Sequence, residues 1–337
     1  MTRGAVADAA PLQAAGIVAL GDNIEFLRTV ASESVDLIYI DPPFNTGGTQ
    51  VRTTLRTARS ADGDRGGFQG RRYATVEVAK RAYDDAYDDY LSFLEPRLLE
   101  ARRVLAPHGS LYFHIDYRES HYCKLLLDGI FGRESFLNEI IWAYDYGART
   151  RARWPAKHDN IFWYAKDPAN YAFNFEDMDR IPYMAPGLVG PEKAARGKTP
   201  TDVWWHTIVP TNGSEKTGYP NQKPLGILRR IIRASSRPGE LVLDFFAGSG
   251  TTGVAAHELG RRFLLVDNNE EAVRVIERRL EELHIPFAAS GWSPQGASAV
   301  ETATVLAAAR PRGRPPGGHG SHGAAAGSTP LIATGGA

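Results

Sequence analysis

Asp41, Pro42, Pro43 and Phe44 stand directly after the apolar run Val35–Ile40 (VDLIYI). Together these residue types suit one kind of chemistry. An amino group on a heteroaromatic ring is a poor nucleophile, because its lone pair is delocalised into the ring. Two acceptors aimed at its hydrogens, a carboxylate and a backbone carbonyl, favour a tetrahedral nitrogen whose lone pair can attack an electrophilic carbon. Asp41 offers the carboxylate and Pro42 the carbonyl. The consecutive prolines restrict φ and suppress helix, which stiffens the turn. Phe44 offers a ring face on which a base can stack once it has left its duplex. A strand-ending Asp-Pro turn with no chemical role has the same local pattern, so the motif gains weight only from its company.

That company is Asp244-Phe245-Phe246-Ala247-Gly248-Ser249-Gly250, which runs on into Thr251-Thr252-Gly253. Small residues between a buried strand and a helix let the backbone approach a ligand, at the place where open α/β sheets hold cofactors. Gly248, Gly250 and Gly253 satisfy G-x-G-x-x-G, and Asp267 ends the next apolar run, where an acid meets a ribose. Nicotinamide dinucleotides and S-adenosylmethionine both present an adenosine ribose. The glycine loop alone therefore leaves an NAD-dependent oxidoreductase open beside a methyltransferase, and a plain packing turn open beside both. An oxidoreductase leaves Asp41 to Phe44 idle and has no evident acid for hydride transfer.

With both motifs in one chain, the sequence resembles the amino-methyltransferases of DNA, whose signatures are [DNS]-P-P-[YF] and F-x-G-x-G. Phe246, Gly248 and Gly250 meet the second signature, and its place far behind Asp41 resembles the circularly permuted β group. Gly21-Asp22-Asn23, Asn45-Thr46-Gly47 and Asn221-Gln222-Lys223-Pro224 match the family's flanking text, so the likeness covers residues 16–284. It implies S-adenosylmethionine as cofactor, double-stranded DNA as partner, and methyl transfer to adenine N6 after base flipping. Cytosine N4 is the alternative; family habit pairs Asp at the first position with adenine and Ser with cytosine. RNA and protein-glutamine methyltransferases usually show Asn there. A companion restriction endonuclease and a homodimer are both compatible with the resemblance. Enzymes that make 5-methylcytosine need a cysteine nucleophile in a catalytic loop, whereas Cys123 falls within a helical pattern away from the prolines.

The resemblance also implies roles. Asp244, Phe246, Ala247, Gly248, Ser249 and Gly250 would hold the methionine part of the cofactor, with Gln222, Lys223 and Pro224 assisting. Asp267 would take the ribose hydroxyls and Asp22 the adenine amino group, while Asp41, Pro42, Pro43 and Phe44 would hold the target base. Two positions depart from the pattern. Phe44 replaces the commoner Tyr and keeps the ring, and Asn221 stands where Thr is usual.

Elements must position these residues. Apolar runs at 17–20, 35–40, 110–115, 140–144, 161–164, 241–243 and 263–266 read as strands, and residues 87–105, 119–130, 225–235 and 270–283 as helices. The first of these helices carries Pro96 as a potential kink; the second repeats Tyr122, Leu125, Leu126 and Gly129, and the last Val273, Ile276, Leu280 and Leu283. Strands alternating with helices predict an α/β fold with a mostly parallel sheet. Placing the two C-terminal strands ahead of the two N-terminal ones restores the strand order of a Rossmann-like S-adenosylmethionine-dependent methyltransferase sheet, an independent sign of circular permutation. The expected organisation is a catalytic half at 16–165 with a mobile basic loop at 45–81, a target-recognition insertion at 166–217, a cofactor-binding half at 218–286 and a disordered tail at 287–337.

The formal charge is zero, with 39 basic and 39 acidic residues, so the total announces no polyanionic partner. The distribution says more. Between residues 45 and 81 eight Lys/Arg, among them Arg52, Arg56 and Arg59, face three acids, and Arg149, Arg151, Arg153 and Lys157 interleave with Trp154 and His158. Such clusters suit phosphate contact, although solvated basic loops look the same. In the tail, Pro311-Arg312-Gly313-Arg314-Pro315 resembles the core of an AT-hook, with Arg312 and Arg314 reaching along a minor groove. One cysteine excludes an internal disulfide and a multi-cysteine zinc site; no metal is expected. With no signal-like or membrane-length apolar run, the expected location is the cytoplasm, at the nucleoid.

Overall fold

The computed structural model describes residues 15–44, 50–59, 65–66, 72–83, 89–145, 149–210 and 212–291, without side chains at 50–83 and 290–291. The chain opens with β1 (Gly16–Leu20), α1 (Asn23–Thr29), β2 (Val35–Ile40), β3 (Gln50–Arg59), β4 (Arg65–Gly66) and β5 (Arg72–Tyr83). It continues through α2 (Tyr90–Val104), β6 (Leu105–Asp116), α3 (Ser120–Phe131), β7 (Phe136–Ala143) and β8 (His158–Ala165). After α4 (Pro191–Arg196) and β9 (Val203–Trp205) come α5 (Leu225–Ser235), β10 (Leu241–Asp244), α6 (Thr251–Glu258), β11 (Arg262–Asp267), α7 (Glu270–Glu282) and β12 (Phe287–Gly291).

Nine strands form one sheet in the order β12-β1-β11-β10-β2-β6-β8-β7-β9. From β12 to β6 every pairing is parallel; β8 then runs antiparallel between β6 and β7. β10, the strand ahead of the glycine loop, lies between β11 and β2. The last strands of the chain are thus zipped against the first, as the permuted order predicts. Leu37, Ile38, Tyr39 and Ile40 of β2 are all buried, as befits a strand covered on both faces. One face carries α1, α2 and α3 through Phe26, Leu94, Leu98 and Leu127. The other carries α5, α6 and α7 through Ile227, Ile231, Val254 and Ile276.

Several expectations need correction. Residues 45–81, read as a loop, contain β3 and most of β5, which pair antiparallel from Gln50↔Tyr83 to Arg59↔Tyr73 with a register shift between Thr54 and Leu55. The run lacks apolar alternation, yet Thr53, Thr54, Thr57, Thr75, Val76 and Val78 are β-branched, and a polar ribbon needs no more than that. The tail begins later than expected, because residues 287–291 pair with β1 as β12. α3 buries Ser120, Cys123, Leu127 and Phe131, leaving Tyr122 and Leu125 exposed; the inward stripe is offset from the one read in the sequence. α7 buries Val273, Ile276 and Leu280, but Leu283 is its exposed C-cap. Residues 166–217 hold only short elements, among them α4 and β9, and are tied to the sheet body. Asn174 Nδ2 donates to the carbonyls of Arg233 and Ser236, Asp179 pairs with Arg230, and β9 extends the sheet edge. Among the described residues no helix is long and apolar enough to cross a membrane.

Candidate active site

Three adjacent parallel strands, β2, β10 and β11, lead into Asp41, Asp244 and Asp267. Their shared carboxyl edge lines a cavity of about 410 Å³. Crowding carboxylates at a buried edge disfavours ionisation. Burial pushes Asp244 up to about 7 against two hydrogen bonds that oppose the rise, and the charges of Asp41 and Asp267 add to it. Burial also raises Asp267.

One side of the cavity is the turn from β10 to α6. Asp244 accepts from the Phe246 amide at 3.0 Å and from Thr252 Oγ1 at 2.6 Å, which folds the loop back over the strand end. Asp267 accepts the Gly248 amide at 2.8 Å and the Asn269 amide at 2.9 Å, joining the neighbouring strand to the same loop. Gly248 and Gly250 both have positive φ. A Cβ on Gly248 would stand 3.3 Å from the Tyr219 ring, and one on Gly250 3.0 Å from Ile276. Both glycines are therefore fixed by conformation and by space. Phe246, Ala247, Gly248 and Ser249 line the cavity; Gly250 instead caps α6.

The other side is the Asp41 turn. Tyr90 Oη donates to the Pro43 carbonyl at 2.6 Å and locks the turn onto α2. Lys223 Nζ reaches Asp41 Oδ2 at 2.5 Å and lies 4.8 Å from the Phe44 ring centroid. Asp41 Oδ1 is buried without a hydrogen-bond partner. The Lys223 side chain thus faces the Asp41 turn, while its carbonyl accepts from Thr251 Oγ1 at 3.1 Å beside the glycine loop. Gln222 lines the cavity but spends its amide on Glu215 and Thr217, and Pro224 is the N-cap of α5. Asn221 has φ 52°, a left-handed conformation that Asn tolerates and β-branched Thr resists, which accounts for the departure at that position.

Asp22 is placed differently from its expected role. Its Oδ1 accepts the Ile24 and Glu25 amides and its Oδ2 pairs with Arg97, so it caps α1 off the cavity. Its neighbour Asn23 lines the cavity instead, bonded to the Phe245 carbonyl and to Arg97. Beneath Phe44 lies a polar chain that the sequence reading did not single out. His114, fully buried, shares hydrogen bonds with Tyr39 Oη at 2.7 Å and Asp159 Oδ2 at 3.1 Å, and its Nδ1 is 3.9 Å from Asp41 Oδ1. Tyr144 Oη donates to the other oxygen of Asp159. A histidine inside the apolar strand run LYFHID was the available signal. Arg97 and Phe93, stacked at 4.0 Å on α2, gave none, since a helix face does not reveal which end of a sheet it covers.

Arg149, Arg151 and Arg153 are exposed, and Lys157 is half-buried, in the connection from β7 to β8. The backbone of Arg52, Arg56 and Arg59 lies in β3. The AT-hook reading, with Arg312 and Arg314, falls outside the described residues.

The chain resembles proteins of one kind. It is 30% identical over 274 residues to the DNA adenine methyltransferase YhdJ of Escherichia coli (strain K12), covering 77% of this chain and 81% of that protein. The solved structure of the M1.HpyAVI–SAM complex shares the fold with a TM-score of 0.51 at 20% identity, over 79% of this chain and 98% of its own. PvuII DNA methyltransferase (cytosine-N4-specific) shares it with a TM-score of 0.53 at 14% identity, over 88% and 94%. Residues 35–278, which hold both the Asp41 turn and the glycine loop, match the DNA methylase family, and the chain belongs to it.

Proposed function

We propose that this DNA methylase transfers a methyl group from S-adenosylmethionine to the N6 of an adenine turned out of double-stranded DNA, in the cytoplasm at the nucleoid. The observation that carries the reading is Asp41 Oδ1, a buried carboxylate oxygen without a hydrogen-bond partner beside the Phe44 ring. Leaving such an atom unbonded is costly unless a donor is meant to arrive. The N–H of a base amino group is that donor.

When bound, S-adenosylmethionine supplies an electrophilic methyl carbon. The residues present fit it: the loop of Phe246, Ala247, Gly248 and Ser249 approaches closely because Gly248 has no Cβ, and the N-terminus of α6 suits a carboxylate. Asp267 takes the ribose hydroxyls, and Asp244 balances the cofactor's positive charge. On the base side, Asp41 Oδ1 and the Pro42 carbonyl accept the two amino hydrogens and free the nitrogen lone pair. Phe44 stacks on the base, and Asp41 holds the proton that the alkylated nitrogen sheds. The adenine assignment rests on Asp at the first motif position and on the adenine-specific name of the relative from Escherichia coli. Residues 166–217, fixed to the sheet edge by β9, serve target recognition.

Nucleoside mass spectrometry of DNA incubated with the chain and S-adenosylmethionine tests this reading. N6-methyladenine is expected. N4-methylcytosine alone would overturn the base while sparing the mechanism, and no methylated nucleoside would overturn both.

A further inference from the structure

Trp154 is 95% exposed, in the connection between β7 and β8. An indole offers a large apolar area, and leaving it in water is unfavourable unless a partner covers it. The surroundings point to the partner's chemistry. Arg149, Arg151 and Arg153 are exposed as well, residues 149–157 contain no acid, and among the described residues none of the three arginines is ion-paired. Pro155 follows directly and limits the backbone freedom of the tip. Aromatic and arginine together also mark protein interfaces. Three arginines and no acid, however, favour a polyanion over a protein surface of mixed charge.

The place is as informative as the composition. Asp116, at the carboxyl end of β6, pairs with Asp159, and Ala143 pairs with both His158 and Trp205. The connection therefore leaves the same sheet edge as Asp41. Asp159 at its root is bonded to His114, whose Nδ1 lies 3.9 Å from Asp41 Oδ1. Trp154 is four residues from His158, so its Cα is within about 14 Å of that root even if the chain is fully extended. Trp205, 75% exposed, flanks the same root. A basic, aromatic tip thus stands within reach of the mouth of the base cavity.

We infer that Trp154 is a wedge: it enters the base stack of DNA at the gap left by the target base, while the arginines of residues 149–153 hold the flanking phosphates. The inference rests on the proposed methyl transfer to a flipped base. Turning a base out leaves its neighbours unstacked on one face, and an aromatic ring inserted there restores those contacts and hinders the base's return.

The test uses the full chain and two duplexes carrying its target site, mapped by methylation-aware sequencing of DNA from cells that express it. In one duplex the target base is paired; in the other an abasic residue stands opposite it, so that little pairing needs to be broken. Trp154→Ala should lose about tenfold or more in kcat/KM on the paired duplex, the scale of a lost stacking contact, and return to near wild-type rates on the abasic one. Trp154→Phe should retain most activity on both. Equal loss on the two duplexes, or loss on neither, would overturn the wedge while leaving the methyltransferase reading intact. Failure to find any methylated site in the mapping would overturn that reading, and the wedge with it.

Discussion

The two ends of the central strands carry similar residues in opposite circumstances. At the amino end, His108 Nε2 lies 3.1 Å from Asp36 and 3.6 Å from Glu240, and Asp36 also accepts the Leu241 amide. The two acids push His108 up to about 9, so opposite charges meet, although His108 Nε2, like Asp41 Oδ1, lacks a well-aligned hydrogen bond. At the carboxyl end, Asp41, Asp244 and Asp267 crowd one edge, Asp244 is pushed up to about 7, and Asp41 Oδ1 has no hydrogen-bond partner. Both clusters staple the same sheet, but only the second crowds like charges at a buried edge. Buried like charges that raise one another's pKa mark where a protein is built for something that is not part of itself.

The contrast can be broken most forcefully at Asp267. Replacing it with Ala should weaken S-adenosylmethionine binding in the absence of DNA by roughly 1.5–3 kcal/mol, the range for a lost hydrogen bond to a charged group. Undiminished binding in calorimetry would remove Asp267 from the cofactor side.

Asp244 gives a smaller, pH-dependent effect. With its folded value near 7 and an unfolded value of 3.8, its contribution to stability is present below about 4 and lost as pH rises through 7. A cationic cofactor favours the carboxylate, so below pH 7 binding must expel a proton. Affinity should fall by up to about tenfold per pH unit on acidification from 7, since one proton is worth about 1.4 kcal/mol per unit. The variant Asp244→Asn should bind weakly at every pH, without that slope. A slope that survives the substitution would place the titrating group elsewhere.

The least effect belongs to the amino end. His108, raised to about 9 from 6.5, contributes stability that is fully present below pH 6.5 and disappears as pH rises through 9. His108→Ala should therefore lower Tm at pH 6 and match the wild type near pH 10. Partial exposure screens the cluster and holds the difference to about 1 kcal/mol. Methyl transfer by this variant should stay near wild type, and a large loss would mean that the two ends do not do separate jobs.

Much of this contrast is legible in the chain itself. The order of the motifs gives the permutation, because each sits at the end of an apolar run and a parallel sheet brings such ends to one edge. Asp41, Phe44, Asp244 and Asp267 meet there as expected. The errors have local causes. Asp22 stands beside the cavity residue Asn23, yet a helix N-terminus claims its carboxylate first. Lys223 follows a cofactor-like stretch, but its long stem carries the charge across to Asp41. β3 and β5 escape detection because periodicity reports burial, and a polar ribbon has no apolar period to report. His114 and Asp159 join from strands whose antiparallel pairing the local sequence does not encode.

The most direct measurement follows Asp41→Ala in two assays on one preparation. Methyl transfer to DNA should fall by roughly 10²–10⁴-fold, the scale for a positioned acid–base group. Cofactor affinity by calorimetry should change by less than about tenfold, or 1.4 kcal/mol. Retained transfer, or a loss of cofactor binding as deep as the loss of transfer, would contradict the assignment of Asp41 to the base.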